Sequence, residues 1–270
     1  MTILSAADYI AAAKQIIPFT KTASITTVAA QRSTQFASAG NPGAGTAAFT
    51  TALTGVVPTD ATAGYPLFNA FGGGATGYLT RVQYACSVAA RLELWDVLWG
   101  ISVPTTPAAP TTYTIAGASS FLGRCPSGHG DGNRIFLWAT TAVAANAVTI
   151  TVTYTNSAGT AGRSTGASVS LSGLIVGRWI ELPLQAGDSG VDSVQTVVVG
   201  GTAAATGAIN VTIVRPLWAG RVPLANAGDI NALDKTGMPI VYADSAISLT
   251  TTPDSTAAGI PDLYFEISNK

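Results

Sequence analysis

Gly187-Asp188-Ser189-Gly190 is the segment whose residue types come nearest to nucleophilic chemistry. A serine on a glycine-flanked turn attacks a carbonyl only if an imidazole takes its proton and a carboxylate orients that imidazole. The chain has a single histidine, His129, in the loop Gly128-His129-Gly130-Asp131-Gly132-Asn133. Between His129 and the Gly187-Asp188-Ser189-Gly190 segment the only aspartate is Asp131, two residues from the histidine, and Glu181 is the other acid. Asp131 sits too close along the chain to reach round to the imidazole, so His129 is expected to lack an orienting partner. One His and one Asp are also too few for a closed metal site. Asp188 and Asp192, four apart about Gly190, offer oxygens to Ca²⁺, but the ligand series of an EF-hand is missing. Cys86 and Cys125 form neither a metal nor a redox motif and read as reduced, partly buried thiols. Trp95, Trp99, Trp138, Trp179 and Trp218 suit cores, interface anchors or sugar stacking, and only a coplanar exposed pair would favour carbohydrate.

The Gly-Asp-Ser-Gly segment resembles the nucleophile loop of chymotrypsin-like serine proteases. Val191 stands where that family has a further glycine, and nothing here resembles its histidine segment. As a turn between strands, the same residues supply local hydrogen bonding and a permissive φ. The turn reading is preferred, with catalytic, cofactor-binding and metal residues all expected to be none.

Charge narrows the partners. The 270 residues include only 13 Lys and Arg and 14 Asp and Glu, a net charge of −1, so charged residues make up 10%, against roughly 25% in soluble domains. A folded monomer of this size exposes roughly 11,000 Å². At roughly 100 Å² each, the charged side chains would cover about a quarter of it. The remainder must be Thr, Ser, Asn, Gly and Ala, or must lie against other subunits. Scattered cations with no Lys/Arg run argue against nucleic acid as a partner. Asp8 and Lys14 break any signal-peptide stretch. The uncharged window Ile135 to Thr153 alternates Val148-Thr149-Ile150-Thr151-Val152-Thr153, a strand period, so no transmembrane span and no membrane partner are expected.

The elements that must hold these residues are mostly strands. Ser5 and Asp8 resemble an N-cap with an acidic N3 residue. Tyr9, Ile10, Ala13, Ile16 and Ile17 recur at helical spacing until Pro18, and Ile25, Val28, Ala29, Arg32 and Phe36 outline a second helix. Leu53 to Gly77, with Gly72-Gly73-Gly74, reads as an extended loop. Tyr78 to Cys86 alternates as a strand, and Arg91 to Trp99 reads as one buried on both faces. Pro104-Thr105-Thr106-Pro107-Ala108-Ala109-Pro110 is a stiff connection. Val148, Ile150, Val152 and Tyr154 line one face of a strand and Thr149, Thr151, Thr153 and Thr155 the other. Trp179 to Leu184, Val194 to Val199, Ile209 to Ile213 and Leu263 to Ile267 complete the pattern. The expected fold class is mainly β, an antiparallel β-sandwich or jelly roll with a short helical N-terminal segment. The division read from composition is 1–52 as helical segment or arm, 53–77 as Gly-rich linker, and 78–270 as the β-sandwich domain.

Thr153-Tyr154-Thr155-Asn156-Ser157-Ala158-Gly159-Thr160-Ala161-Gly162-Arg163 and Leu182-Pro183-Leu184-Gln185-Ala186-Gly187-Asp188-Ser189-Gly190-Val191, with Arg215-Pro216-Leu217 and Thr236-Gly237-Met238-Pro239, resemble uncharacterised structural proteins of tailed bacteriophages. The likeness runs from about Tyr78 to the C-terminus and is one of style and short phrases. It implies a head-decoration, cement or head–tail protein with no catalytic residues. The expected partners are the major capsid or other virion proteins and further copies of the chain. The expected location is the virion, after synthesis in the host cytoplasm. The alternatives are a tail or baseplate module that recognises host carbohydrate and, third, a hydrolase.

Overall fold

The structure, a computed structural model, describes residues 3, 5–46, 49–73, 75–106, 110–117, 120–166, 169–202 and 206–270. Gly74 and Pro107-Ala108-Ala109, named in the loop and connection above, lie outside the described residues. In chain order the elements begin with α1 (Ala6–Ala11), β1 (Ala13–Lys21), β2 (Ser33–Thr34), β3 (Gly40–Asn41), β4 (Gly77–Cys86) and β5 (Ala90–Pro104). They continue with β6 (Thr111–Thr114), β7 (Arg134–Thr141), β8 (Val148–Asn156), β9 (Arg163–Ser164), β10 (Val169–Ser170), β11 (Trp179–Leu182) and β12 (Val191–Gly201). They end with β13 (Ala208–Val222), β14 (Gly228–Asn231), α2 (Leu233–Thr236), β15 (Ile240–Val241), β16 (Ile247–Pro253) and β17 (Pro261–Asn269). The fold is mainly antiparallel β with a small N-terminal helix, as the alternating runs require.

Contacts group the chain into two units, and both differ from the linear division at 52 and 77. The first comprises Met1–Thr46, Thr59–Asp96 and Leu217–Lys270, and the second Ala47–Pro58 and Val97–Pro216. Strands β5 and β13, 15 residues each, run from one unit into the other.

In the first unit the sheet β14-β4-β17-β1-β3 forms one layer, and Ala90–Asp96 of β5 pairs with β16, which pairs with β2, in the other. Phe19, Leu79, Val82, Leu263, Phe265 and Ile267 from the first layer share a core with Leu92, Leu94, Ile247 and Leu249 from the second. Each such side chain, fully removed from water, contributes about 1.5–3 kcal/mol.

The N-terminal segment corrects the helical expectation. Ser5 does cap α1, its Oγ accepting from Asp8 N at 3.1 Å, but the helix ends at Ala11. Residues 13–21 are strand, paired with β17 from Ala13↔Asn269 to Thr20↔Asp262. Ile17, Phe19 and Lys21 point inward at strand spacing, and Pro18 is accommodated where β1 has no ladder partner on its other side. Burying Phe19 completely outweighs the helical spacing of the isoleucines. The second expected helix is absent: Thr26 bridges to Ala257, Ala30 takes a positive φ, and Ser33–Thr34 pairs with β16. Arg32 is drawn instead to Glu93, with Nε 2.5 Å and Nη2 3.1 Å from its carboxylate oxygens. The reaching arm of 1–52 is therefore, over residues 13–21, a strand of the core layer.

Lys21 is buried, its Nζ donating to Ser38 O at 3.0 Å and Pro42 O at 2.8 Å. Burial pulls its pKa from 10.5 down to about 8. Between these values the unfolded chain holds a proton that the folded chain has released. Lys21 therefore lowers stability fully below pH 8, and that loss is relieved as pH rises towards 10.5. Urea melts across this window should show wild type gaining on the order of 3 kcal/mol relative to Lys21→Met. A pH-independent difference between the two would show that the ammonium is not desolvated.

In the second unit, the sheet β10-β8-β12-β6 packs its inward side chains against those of β11-β7-β13-β5. Val148, Ile150, Val152 and Tyr154 are inward and Thr149, Thr151, Thr153 and Thr155 half-exposed, as the alternation predicts. Trp99, Ile101, Ile135, Leu137, Val211 and Ile213 complete the core from the facing strands. The window 135–153 spans β7 and β8, and no helix among the described residues is long and apolar enough to cross a membrane.

Candidate functional site

The His129 and Ser189 loops both belong to the second unit and lie side by side. Asp131 and Gly190 form an antiparallel bridge. Gly132 N donates to Ser189 O, and Val191 N to Gly130 O, each at 3.0 Å. The backbones approach so closely that a Cβ on Gly190 would sit 1.9 Å from Gly130 O, and one on Gly130 1.8 Å from Val191 O. Glycine at 130 and 190 is thus explained by packing.

The bridge also gives His129 a partner, which corrects the expectation that it has none. Its Nδ1 lies 3.3 Å from Asp192 Oδ2, while Asp192 Oδ1 accepts from Gly130 N at 2.6 Å. Asp131, the nearer acid in sequence, accepts from Ser127 Oγ at 3.2 Å instead. Asp192 lies 63 residues from His129, and only the antiparallel return of the chain at Gly190 carries it beneath the loop. Ser189 Oγ is 3.1 Å from Ser157 Oγ, and among the described residues no hydrogen bond joins Ser189 to His129. The imidazole faces a carboxylate and the serine faces another serine. As placed, the imidazole is not set to take the serine's proton.

Asp188 organises the neighbouring turn. Its carboxylate accepts from Tyr154 Oη at 2.6 Å, Asn156 Nδ2 at 2.7 Å and Arg163 Nε at 2.9 Å. The Arg163 hydrogen bond, helped by Tyr154 and Asn156, holds its pKa down to about 2 against desolvation. Burial, then the bond to Asp188, pushes Tyr154 up to about 12. Two of the sequence phrases quoted above, 153–163 and 182–191, therefore meet at one carboxylate. With Asp188 engaged by three donors and Asp192 by Gly130 and His129, the two acids serve different partners. No group of three or more His, Cys, Asp or Glu among the described residues is arranged to hold a metal.

All five tryptophans are buried, and Trp95 and Trp99 donate from Nε1 to Thr250 Oγ1 and Thr54 O. Both cysteines are buried thiols outside any disulfide, and burial raises the Cys86 thiol pKa. Tyr264 is the one large aromatic among the exposed hydrophobic residues that the structure describes. It lies beside a groove of about 460 Å³ on the β14-β4-β17 sheet, lined also by Gln83, Asp229, Ile230 and Asp262. In the second unit, Thr114, Thr196, Thr153 and Ser164 lie in register across β6, β12, β8 and β9, a row of hydroxyls without charge.

These features define an antiparallel β-sandwich protein with a hydroxyl-bearing sheet and loops tied together by hydrogen bonds. No protein-family model matches the chain, and no curated protein matches it. Among solved structures it is similar to the structure of infectious bursal disease virus Gt strain, at 9% identity and a TM-score of 0.22, over 96% of this chain and 80% of that one. It is also similar to the crystal structure of the VP2 subviral particle of infectious bursal disease virus, at 8% identity and a TM-score of 0.20, over the same shares. Likeness at such scores carries no argument about function.

Proposed function

We propose that the chain is a structural subunit of a bacteriophage virion, a capsid decoration (cement) protein that stabilises the particle through subunit contacts and performs no catalysis. The observation that carries this reading is the scarcity of charge on the surface. Of the 27 charged residues, Lys21, Glu93, Asp96, Arg124, Asp192, Arg215 and Glu266 are buried. At roughly 100 Å² each, the others cover only about a fifth of the 10502 Å² surface. A free monomer with so little charge and a net charge of −1 has weak protection against association. Assembly turns that liability into binding energy. The quoted phrases that resemble tailed-phage structural proteins supply the kind of particle.

The carbohydrate-binding alternative calls for a pair of exposed rings in a groove, and of the two tyrosines that line the groove on the first unit Tyr264 is exposed and Tyr84 buried. The particle itself is the test. Purified virions made from the genome that encodes the chain should contain it in symmetric copy number. Virions that are complete without it would overturn the proposal.

A further inference from the structure

The outer face of the sheet β14-β4-β17-β1 matches itself when turned end for end. We infer that a second copy of this chain docks on this face, about a two-fold axis along the row Pro18, Tyr264, Gln83 and Ile230. These four residues are in register across the four strands. Ile230 is 49% exposed and Tyr264 41%, and Ile16, two residues along β1 from Pro18, is 56% exposed. With Pro18 they form an apolar band on the order of 300–400 Å², within the range of the largest patch that a monomer leaves open.

Charge is divided between the two ends of the band. At one end Asp262, in register with Thr20 and Ala85, lines the groove with Asp229. Asp262 makes no hydrogen bond or ion pair among the described residues. At the other end, Arg81 is in register with Glu266, and Lys14 with Ser268. Glu266 is buried and accepts from Tyr9 Oη and Thr80 Oγ1, both at 2.8 Å, so the charge offered outward at this end is positive. Arg81 forms a 3.8 Å ion pair with Glu266, too long for a hydrogen bond, and its side chain, 38% exposed, stays open to a further carboxylate. Two copies stacked in the same sense would set acid on acid. Turned end for end, Asp262 of each copy meets Arg81 of the other, twice over, as an isologous interface demands. The band and its charged ends approach the about 800 Å² per partner of a stable interface.

The edges of the sheet favour stacking over strand addition. Pro18 removes a donor from β1, Gln15 bonds Asn69 at 2.8 and 2.9 Å, and β14 is only 4 residues long.

This inference rests on the reading of the chain as an assembly subunit, but the two fail separately. Sedimentation equilibrium of the full chain should show dimers, with Tyr264→Lys weakening association at least about 30-fold. Asp262→Arg and Arg81→Asp should each be monomeric alone and dimerise when mixed, because the exchanged charges then face each other. Tyr264→Lys decides the matter if Arg81→Asp does not fold. Association unchanged in Tyr264→Lys and Asp262→Arg would overturn this interface and leave the assembly reading standing. A wild-type chain that stays monomeric at high concentration would also overturn it, whereas the assembly reading is judged on the virion.

Discussion

Gly190→Ala is expected to cost about 3 kcal/mol or more of stability, because backbone, not a flexible side chain, occupies the space its Cβ needs. The new methyl would lie 1.9 Å from Gly130 O and 2.9 Å from Gly132 N. To admit it, the bridge between Asp131 and Gly190 must open, and with it the bond from Gly132 N to Ser189 O. Calorimetry should record a fall of about 6–12 °C in the thermal midpoint. Ser189→Ala and His129→Ala are the controls: each should shift the midpoint by about 2 °C or less and leave particle assembly intact. The contrast separates a packed turn from a nucleophile loop. A folded Ser189→Ala or His129→Ala protein that no longer supports particle maturation would return the loops to catalysis.

Arg124→Ala should have a comparable effect for a different reason. Arg124 is buried, with Nη1 2.5 Å from Pro58 O and Nη2 2.6 Å from Val97 O. It ends the 3₁₀ turn Ser120–Arg124 and ties β5 to the segment that ends at Pro58. Removing the guanidinium strands two buried carbonyls and leaves a cavity, a loss of about 3–5 kcal/mol. Arg124→Lys keeps the charge but not the fork and should recover only part of this. Chemical denaturation reads the result directly, and a loss of about 1 kcal/mol or less in Arg124→Ala would mean that water replaces the lost donors.

Strand periodicity made much of the fold legible. The alternation in 78–86, 148–155, 209–213 and 263–267 marks β4, β8, β13 and β17, and the doubly apolar run 91–99 marks the buried strand β5. The division into two units was not legible. β5 and β13 are continuous strands that cross from one unit to the other, so composition shows no break where the packing changes. β1 misled because Ile10, Ile16 and Ile17 fit a helical stripe, whereas burial selects Ile17 and Phe19 and leaves Ile10 and Ile16 exposed. β16 was missed because Ser248, Thr250 and Thr251 look like loop residues, yet all are buried. At the candidate loops, the glycines announced tight turns correctly. Asp192 as the partner of His129, and Arg124 as a buried clamp, depend on pairings across 63 and 66 residues that local pattern does not encode.

A charge-poor surface argues for subunit contacts, and the contact itself can be seen. An electron-microscopy map of the purified virion, at a resolution that separates strands, tests the central claim most directly. The expected map contains the two β units in symmetric copies on the particle, with the face bearing Ile16, Tyr264 and Ile230 closed against protein. A complete particle with no density for the chain, and no peptide from it in the same preparation, would contradict the account.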